Sequence, residues 1–284
     1  LLVFLDADVV PGSTFLAGAL AEIERRDLAV ATCVMKGLSP RALTRAMVDV
    51  ASNYMVALEG FSPRAPGWCI FARRSVHEAI GGFDELLRFG EDVDLVWRLD
   101  EAGWHCRYDP AVTVWHEPRD TWRARLRQHA GYGTSAAPLA MRHPRALSPL
   151  HVNGWTAATW TLALLGRFTG ALALGAGSSA ALVHKLPDVP PRAAFELAAR
   201  GHLLAGRQIA ESARRVWWPI LAVAAVCSRR ARWWAVLALL SDVRRAPTDL
   251  AYGWGVWAGM RRMRTLAPLV PRFSAWPGRP RARA

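Results

Sequence analysis

The sequence predicts an α/β domain that passes into a basic, helical region. Three observations carry that prediction: a short apolar run at 1–5 ending in the acidic pair Asp6 and Asp8, a glycine pair at Gly81-Gly82 ahead of an acid-rich helix, and a change of composition near residue 150. Residues 1–150 hold 17 Arg and Lys against 18 Asp and Glu, whereas 151–284 hold 19 against 5. The second part is therefore built to meet something anionic, and nucleic acid and anionic lipid both fit that description. A chain of 284 residues, 52% of them hydrophobic, buries a sizeable core as one large domain with an appendage or as two domains. The expected segments are an α/β portion at 1–150, a hydrophobic and basic helical region at 151–267, and a disordered basic tail at 268–284, rich in Pro and Arg. Cys33, Cys69, Cys106 and Cys227 stand too far apart for a paired metal-ligand motif and fit a reducing, cytoplasmic setting.

Residues 1–5 read as a buried strand, entered with neither an initiator Met nor a basic leader, so a strand-and-helix half is expected upstream. Pro11 and Gly12 break that strand, and Ser13 and Thr14 open a helix to about residue 26. A second strand is expected at 28–34, a helix at 40–58 and a short strand at 68–71. Residues 74–80 form a helix stopped by Gly81-Gly82, and 91–102 a longer one stopped by Gly103. Two strands, 106–108 and 112–115, flank an Asp109-Pro110 turn. Beyond residue 146 come uncharged runs of 21 and 16 residues either side of Arg167, which make one long helix or two short ones. An amphipathic stretch at 192–215, an apolar one at 216–227, the basic knot Arg229-Arg230-Ala231-Arg232 and an apolar run at 233–240 follow.

Three motifs carry chemistry. Asp6 and Asp8 sit at the carboxyl end of the first strand, where open α/β sheets bind ligands; they are either ligands for a hard cation such as Mg²⁺ or Mn²⁺ or a helix N-cap cluster. Gly81-Gly82-Phe83-Asp84-Glu85, then Glu91-Asp92-Val93-Asp94 and Arg98, set five acids beside a tight turn and a helix N-terminus that favours negative charge. A capped helix with a solvated face explains Glu85 and Asp94 but not the whole cluster. His116 follows a strand in Trp115-His116-Glu117-Pro118 and either completes a metal site with the aspartates or is structural.

In this order, Asp6-Ala7-Asp8, the Gly81 to Glu85 block, Glu91-Asp92 and His116 resemble the family 2 glycosyltransferases of the GT-A fold. The resemblance implies a partial GT-A, Rossmann-like domain followed by a helical, membrane-associated C-terminal region. It implies inverting, metal-dependent transfer of a sugar from a nucleotide-sugar donor to an acceptor hydroxyl. Asp6 and Asp8 would hold Mn²⁺ or Mg²⁺ on the donor diphosphate with His116 as a further ligand, and Asp92 would be the base. Glu91 and Asp84 would shape the acceptor side and the donor pocket. Trp68, beside Gly67, either stacks on a sugar face or is buried by its strand. Glu91 to Leu99, His116-Glu117-Pro118-Arg119, Tyr132 to Leu139, Lys185-Leu186-Pro187 and Leu266-Ala267-Pro268-Leu269 are similar to the glycosyltransferases of mycofactocin systems. That narrower resemblance implies addition of glucose, from UDP-glucose in β linkage, to the redox cofactor mycofactocin or its precursor.

In the basic half, Trp217, Trp218, Trp233 and Trp234 beside arginines suit an interface, so its helices are expected to lie on or dip into the cytoplasmic face of the cell membrane. An ordinary buried helical subdomain is the competing reading. A nucleic-acid-binding protein is the rival function, given the pI near 10.9, but the basic residues are interleaved with long apolar stretches and no recognition-helix signature accompanies them. No nucleic-acid partner is therefore expected. A non-catalytic membrane scaffold derived from a transferase fold is the third reading.

Overall fold

The computed structural model describes residues 2–5, 9–11, 15, 17, 20, 21, 28–37, 69–116, 121–144 and 146–274. They fall into two compact units, Leu1–Arg125 and Leu126–Ala284, so the division precedes the compositional change near residue 150. The expected helix at 40–58, and Gly67 and Trp68, lie outside the described residues.

The first unit is built on a mixed sheet of β1 (Leu2–Leu5), β2 (Val9–Pro11), β3 (Leu28–Gly37), β4 (Cys69–Ala72) and β5 (His105–His116), in the order β1-β4-β3-β5-β2. Only β3 and β5 run parallel; β4 is antiparallel to β1 and β3, and β2 to β5. Residues 15, 17, 20 and 21 are helical, within the helix expected to about residue 26. The expected turn at Asp109-Pro110 is instead an irregularity inside one 12-residue strand. Cys33 pairs with Asp109 and Val34 with Thr113, so β5 passes over Pro110, Ala111 and Val112 between successive residues of β3. Proline lacks the N–H a ladder needs, and a bulge accommodates it without ending the strand.

Two helices follow the sheet's apolar signals, α1 (Arg74–Ala79) and α2 (Glu91–Glu101). Val76 of α1 and Leu95, Val96 and Leu99 of α2 bury against Ala72, with Ile80 and Phe83 packed on them. The turn that ends α1 is written in its glycines. Gly82 N donates to His77 O at 2.9 Å and Gly81 N to Glu78 O at 3.1 Å, a Schellman closure that needs the left-handed backbone Gly81 adopts at φ 81°.

The boundary between the units falls within α3 (Trp122–Thr134). The second unit continues with α4 (Ala136–Arg142), β6 (His151–Asn153), α5 (Gly154–Leu164), α6 (Phe168–Lys185), α7 (Pro191–Arg215), α8 (Trp218–Cys227), α9 (Arg229–Leu240), α10 (Ala246–Met263) and β7 (Arg272–Ser274). The uncharged runs thus become two helices, separated where Gly166 turns at φ 76°. None of the described helices is long and apolar enough to cross a membrane. Part of the expected disordered tail is ordered: β7 pairs in parallel with β6, Arg272 N donates to Leu150 O, and Trp217 Nε1 donates to Leu269 O. Pro268 is buried there, so the Pro- and Arg-rich composition hid a docked segment; residues 275–284 lie outside the described ones.

Ala136, Ala137, Val216, Val256 and Met260 form the core of this unit. A buried ion pair fastens α7 to α10: Arg214 Nε donates to Asp249 Oδ2 at 2.9 Å and Arg214 Nη1 to Ala238 O at 2.7 Å, while Arg215 stacks 4.3 Å from the Tyr252 ring centroid. Burial pushes the Asp249 carboxyl above its ordinary range, and the two arginines oppose that shift. His202 on α7 lies between Thr156 Oγ1 at 3.0 Å and Ser178 Oγ at 2.9 Å, and burial holds its imidazole below the usual value. Helices α3 and α10 approach closely enough that a methyl on Gly255 would run into the Ala130 carbonyl, and one on Gly133 into that of Tyr252. Both obstacles are backbone and cannot swing aside. We therefore expect Gly255→Ala to destabilise the protein by about 3 kcal/mol, read as a lower midpoint in urea unfolding; an unchanged midpoint would show that the helices are not in contact.

Candidate active site in the acid-rich turn and helix

Arg98 organises the described part of the site. From the third turn of α2 its Nε donates to Asp94 Oδ2 at 2.8 Å, its Nη1 to Ile80 O at 2.6 Å and its Nη2 to Gly82 O at 2.6 Å. One planar guanidinium thus ties the helix to the backbone of the glycine turn, a geometry no ammonium group can copy. Asp94 is 1% exposed, and its charge is compensated by this pair, so it serves the scaffold. On the other side of the turn, His77 meets Phe83 edge-on with ring centroids 5.7 Å apart.

The predicted site residues within this frame are Asp84, Glu91 and Asp92. Asp84 Oδ1 accepts from Leu86 N at 2.8 Å and shapes the loop that leads to α2. Gly90 enters the helix at φ 79°, and Glu91 and Asp92 occupy the first turn, where the unpaired backbone N–H groups and the dipole favour carboxylates. Glu91 Oε2 is shielded from solvent and has no hydrogen-bond partner among the described residues.

The metal-ligand set is placed only through the backbone. Asp6 and Asp8 lie outside the described residues, while Val9, which follows Asp8 in the chain, is the cross-strand partner of His116 at the end of β5. Gly37 of β3 pairs with His116 from the other side. Among the described residues no three His, Cys, Asp or Glu side chains cluster in a way that holds an ion. Two carboxylates and an imidazole are a donor set suited to Mn²⁺ or Mg²⁺.

In the sequence alone Arg98 has no assigned role. The i to i+4 spacing from Asp94 signals the ion pair, but its carbonyl partners lie 16 and 18 residues back and leave no sequence mark. His77 carried no signal at all, because the closing turn after α1 brings it to Gly82 and Phe83.

Residues 1–132 match the family model described as glycosyltransferase like family 2. That match takes in just under half of the chain, and over those residues, which include the mixed sheet and the acid-rich turn, the chain is similar to the family 2 glycosyltransferases. The chain is also 31% identical over 308 aligned positions to the pre-mycofactocin glycosyltransferase of Mycobacterium tuberculosis, an alignment that takes in 95% of this chain and 66% of the relative. The chain thus spans just under two thirds of that relative's length. It is 36% identical over 110 residues to the N-acetylglucosaminyl-diphospho-decaprenol L-rhamnosyltransferase of the same organism, covering 36% of this chain and 33% of that protein. Among solved structures, a mannosyltransferase from Pyrobaculum calidifontis in complex with GDP-mannose and Mn²⁺ aligns at 18% identity and a TM-score of 0.44, over 92% of this chain and 61% of that one.

Two outcomes follow from the geometry. Arg98→Lys keeps the charge but loses the fork, so it should lower stability by about 2–3 kcal/mol in chemical denaturation; a variant as stable as the parent would mean that the two carbonyl bonds contribute nothing. Burial first, and the Arg98 guanidinium second, hold the His77 imidazole below its ordinary value of 6.5, against a weaker upward pull from Glu78. The unfolded chain therefore takes up a proton at higher pH than the folded one, and stability falls as pH drops through 6.5 until the folded imidazole also titrates. Urea midpoints measured from pH 7.5 to 5 should decline, and His77→Gln should flatten part of the decline, with His202 supplying another part; an identical slope in the variant would exclude His77 as a source.

Proposed function

We propose that the protein transfers a sugar from a nucleotide-sugar donor to an acceptor hydroxyl, with inversion at the anomeric carbon. The observation that carries the reading is Oε2 of Glu91, shielded and without a hydrogen-bond partner among the described residues, beside Asp92 in the first turn of α2. A carboxylate oxygen in that condition costs free energy until a donor reaches it, and a sugar hydroxyl is such a donor. In this reading Glu91 orients the acceptor and Asp92 takes the proton of the attacking hydroxyl. The acceptor oxygen bonds to the anomeric carbon while the bond from that carbon to the diphosphate oxygen breaks, its electron pair leaving on the diphosphate. In the same reading Asp84 shapes the donor pocket, and Trp68, beside Gly67, stacks on a sugar face. Asp6, Asp8 and His116 would hold Mn²⁺ or Mg²⁺, which when bound offsets the charge of the departing diphosphate. The β2–β5 register supports that assignment.

The likeness over 95% of the chain to a pre-mycofactocin glycosyltransferase supports a narrower form, in which the donor is UDP-glucose and the acceptor is mycofactocin or its precursor. The exposed Trp233 and the arginines around it support work at the cytoplasmic face of the cell membrane. Incubating the full-length protein with UDP-glucose, Mn²⁺ and the acceptor should add hexose units detectable by mass spectrometry. Asp92→Asn should lower kcat by about 10²–10⁴-fold with little change in KM for the donor. Unchanged transfer by that variant would favour a non-catalytic scaffold.

A further inference from the structure

Two helical hairpins of the second unit end at the same place. One turns at residues 165–168 between α5 and α6, and the other at Ser228 between α8 and α9. Arg230 Nη1 donates to Leu165 O at 2.6 Å and Trp234 Nε1 to Leu164 O at 3.1 Å. Those carbonyls belong to the last turn of α5, which its own helix leaves without partners. The two tips are thereby joined.

What the joined tips present is apolar and cationic together. Leu165, Phe168, Leu172, Val223 and Val226 are between 53% and 83% exposed, and α8, Trp-Pro-Ile-Leu-Ala-Val-Ala-Ala-Val-Cys, has no buried residue. Arg167, Arg229 and Arg232 are exposed beside them, and Arg229 and Arg232 line one groove with Trp233 and Val236. No Asp or Glu occurs in residues 151–187 or 212–241.

That combination selects the occupant. A second copy of the same surface would set arginine against arginine, and a nucleic acid offers nothing to the valines and leucines. An anionic bilayer satisfies both: hydrocarbon takes the apolar tips, lipid phosphates meet the guanidinium groups at the end of their apolar stems, and the indole sits at the boundary. Helix α8 has 10 residues, a length of about 15 Å, half the hydrocarbon core, so it enters one leaflet without crossing.

We propose that this two-hairpin end docks the protein on an anionic phospholipid bilayer, with Phe168 and Val226 in the acyl region and Arg167, Arg229 and Arg232 on lipid phosphates. The inference rests on the membrane-surface reading above. The test is co-sedimentation of the full chain with vesicles of phosphatidylcholine alone and of phosphatidylcholine with one third phosphatidylglycerol. The parent should bind the anionic vesicles, and the double variant Phe168→Asp, Val226→Asp should bind at least tenfold more weakly. The pair Arg229→Gln, Arg232→Gln should lose about thirtyfold on anionic vesicles and little on neutral ones. Val270→Asp, an exposed apolar position at the opposite end of α5 beside Ser148, should bind like the parent. Circular dichroism melts matching the parent confirm that the variants fold. A parent that ignores both vesicle types overturns the membrane reading and this inference with it; tip variants that bind normally, or that weaken no more than Val270→Asp, overturn this inference alone. Variants that instead change the oligomeric state in sedimentation velocity would show the face to be a contact between copies.

Discussion

The first unit depends on one guanidinium. The bonds from Arg98 to Asp94 and to the carbonyls of Ile80 and Gly82 join the end of the glycine turn to the helix that carries Glu91 and Asp92. Without a cation there, Asp94 would be a buried charge with no compensation, and two carbonyls of an irregular segment would lose their donors. The three bonds therefore fix where the first turn of α2 points, which is the property a base needs more than basicity itself. The neutral state favoured for His77 belongs to the same arrangement, since a second cation beside Arg98 would work against it.

The second unit is held by different means. Its buried charges are concentrated in Arg214 and Asp249, which lock α7 to α10, and close helix approaches at Gly133 and Gly255 replace large side chains. Its apolar residues are divided between a core around Val256 and Met260 and an exposed set on α6, α8 and α9. A helix such as α8, apolar on every side and with no fully buried residue, is stable in contact with something other than water.

Most of the secondary structure near the site was legible because the punctuation is local. Gly81-Gly82 and Gly103 end α1 and α2 through backbone conformations that few other residues adopt, and the acids of the first turn mark where α2 begins. Asp109-Pro110 misled, because a proline that breaks an isolated strand is absorbed as a bulge when β3 supplies a ten-residue partner. The tail beyond residue 267 misled for a related reason: composition reports average solvation, while Pro268 and the strand Arg272–Ser274 are held by specific partners far earlier in the chain. Arg98 was visible as a residue and invisible as a clamp, since backbone carbonyls carry no sequence identity. Of the candidate ligands, Asp6 and Asp8 lie outside the described residues, and His116 is described through its backbone, where it pairs with Val9.

In the proposed function, an ion bound by Asp6, Asp8 and His116 and the carboxylate of Asp92 face one cleft. Crystals of the full-length protein grown with Mn²⁺ and UDP, measured at the manganese absorption edge, test it directly. A single strong anomalous peak is expected at ligand distance, about 2.0–2.3 Å, from those two carboxylates and that imidazole, with Asp92 across the same cleft. A manganese peak on other residues, or Asp92 on a different surface from the nucleotide, would contradict it.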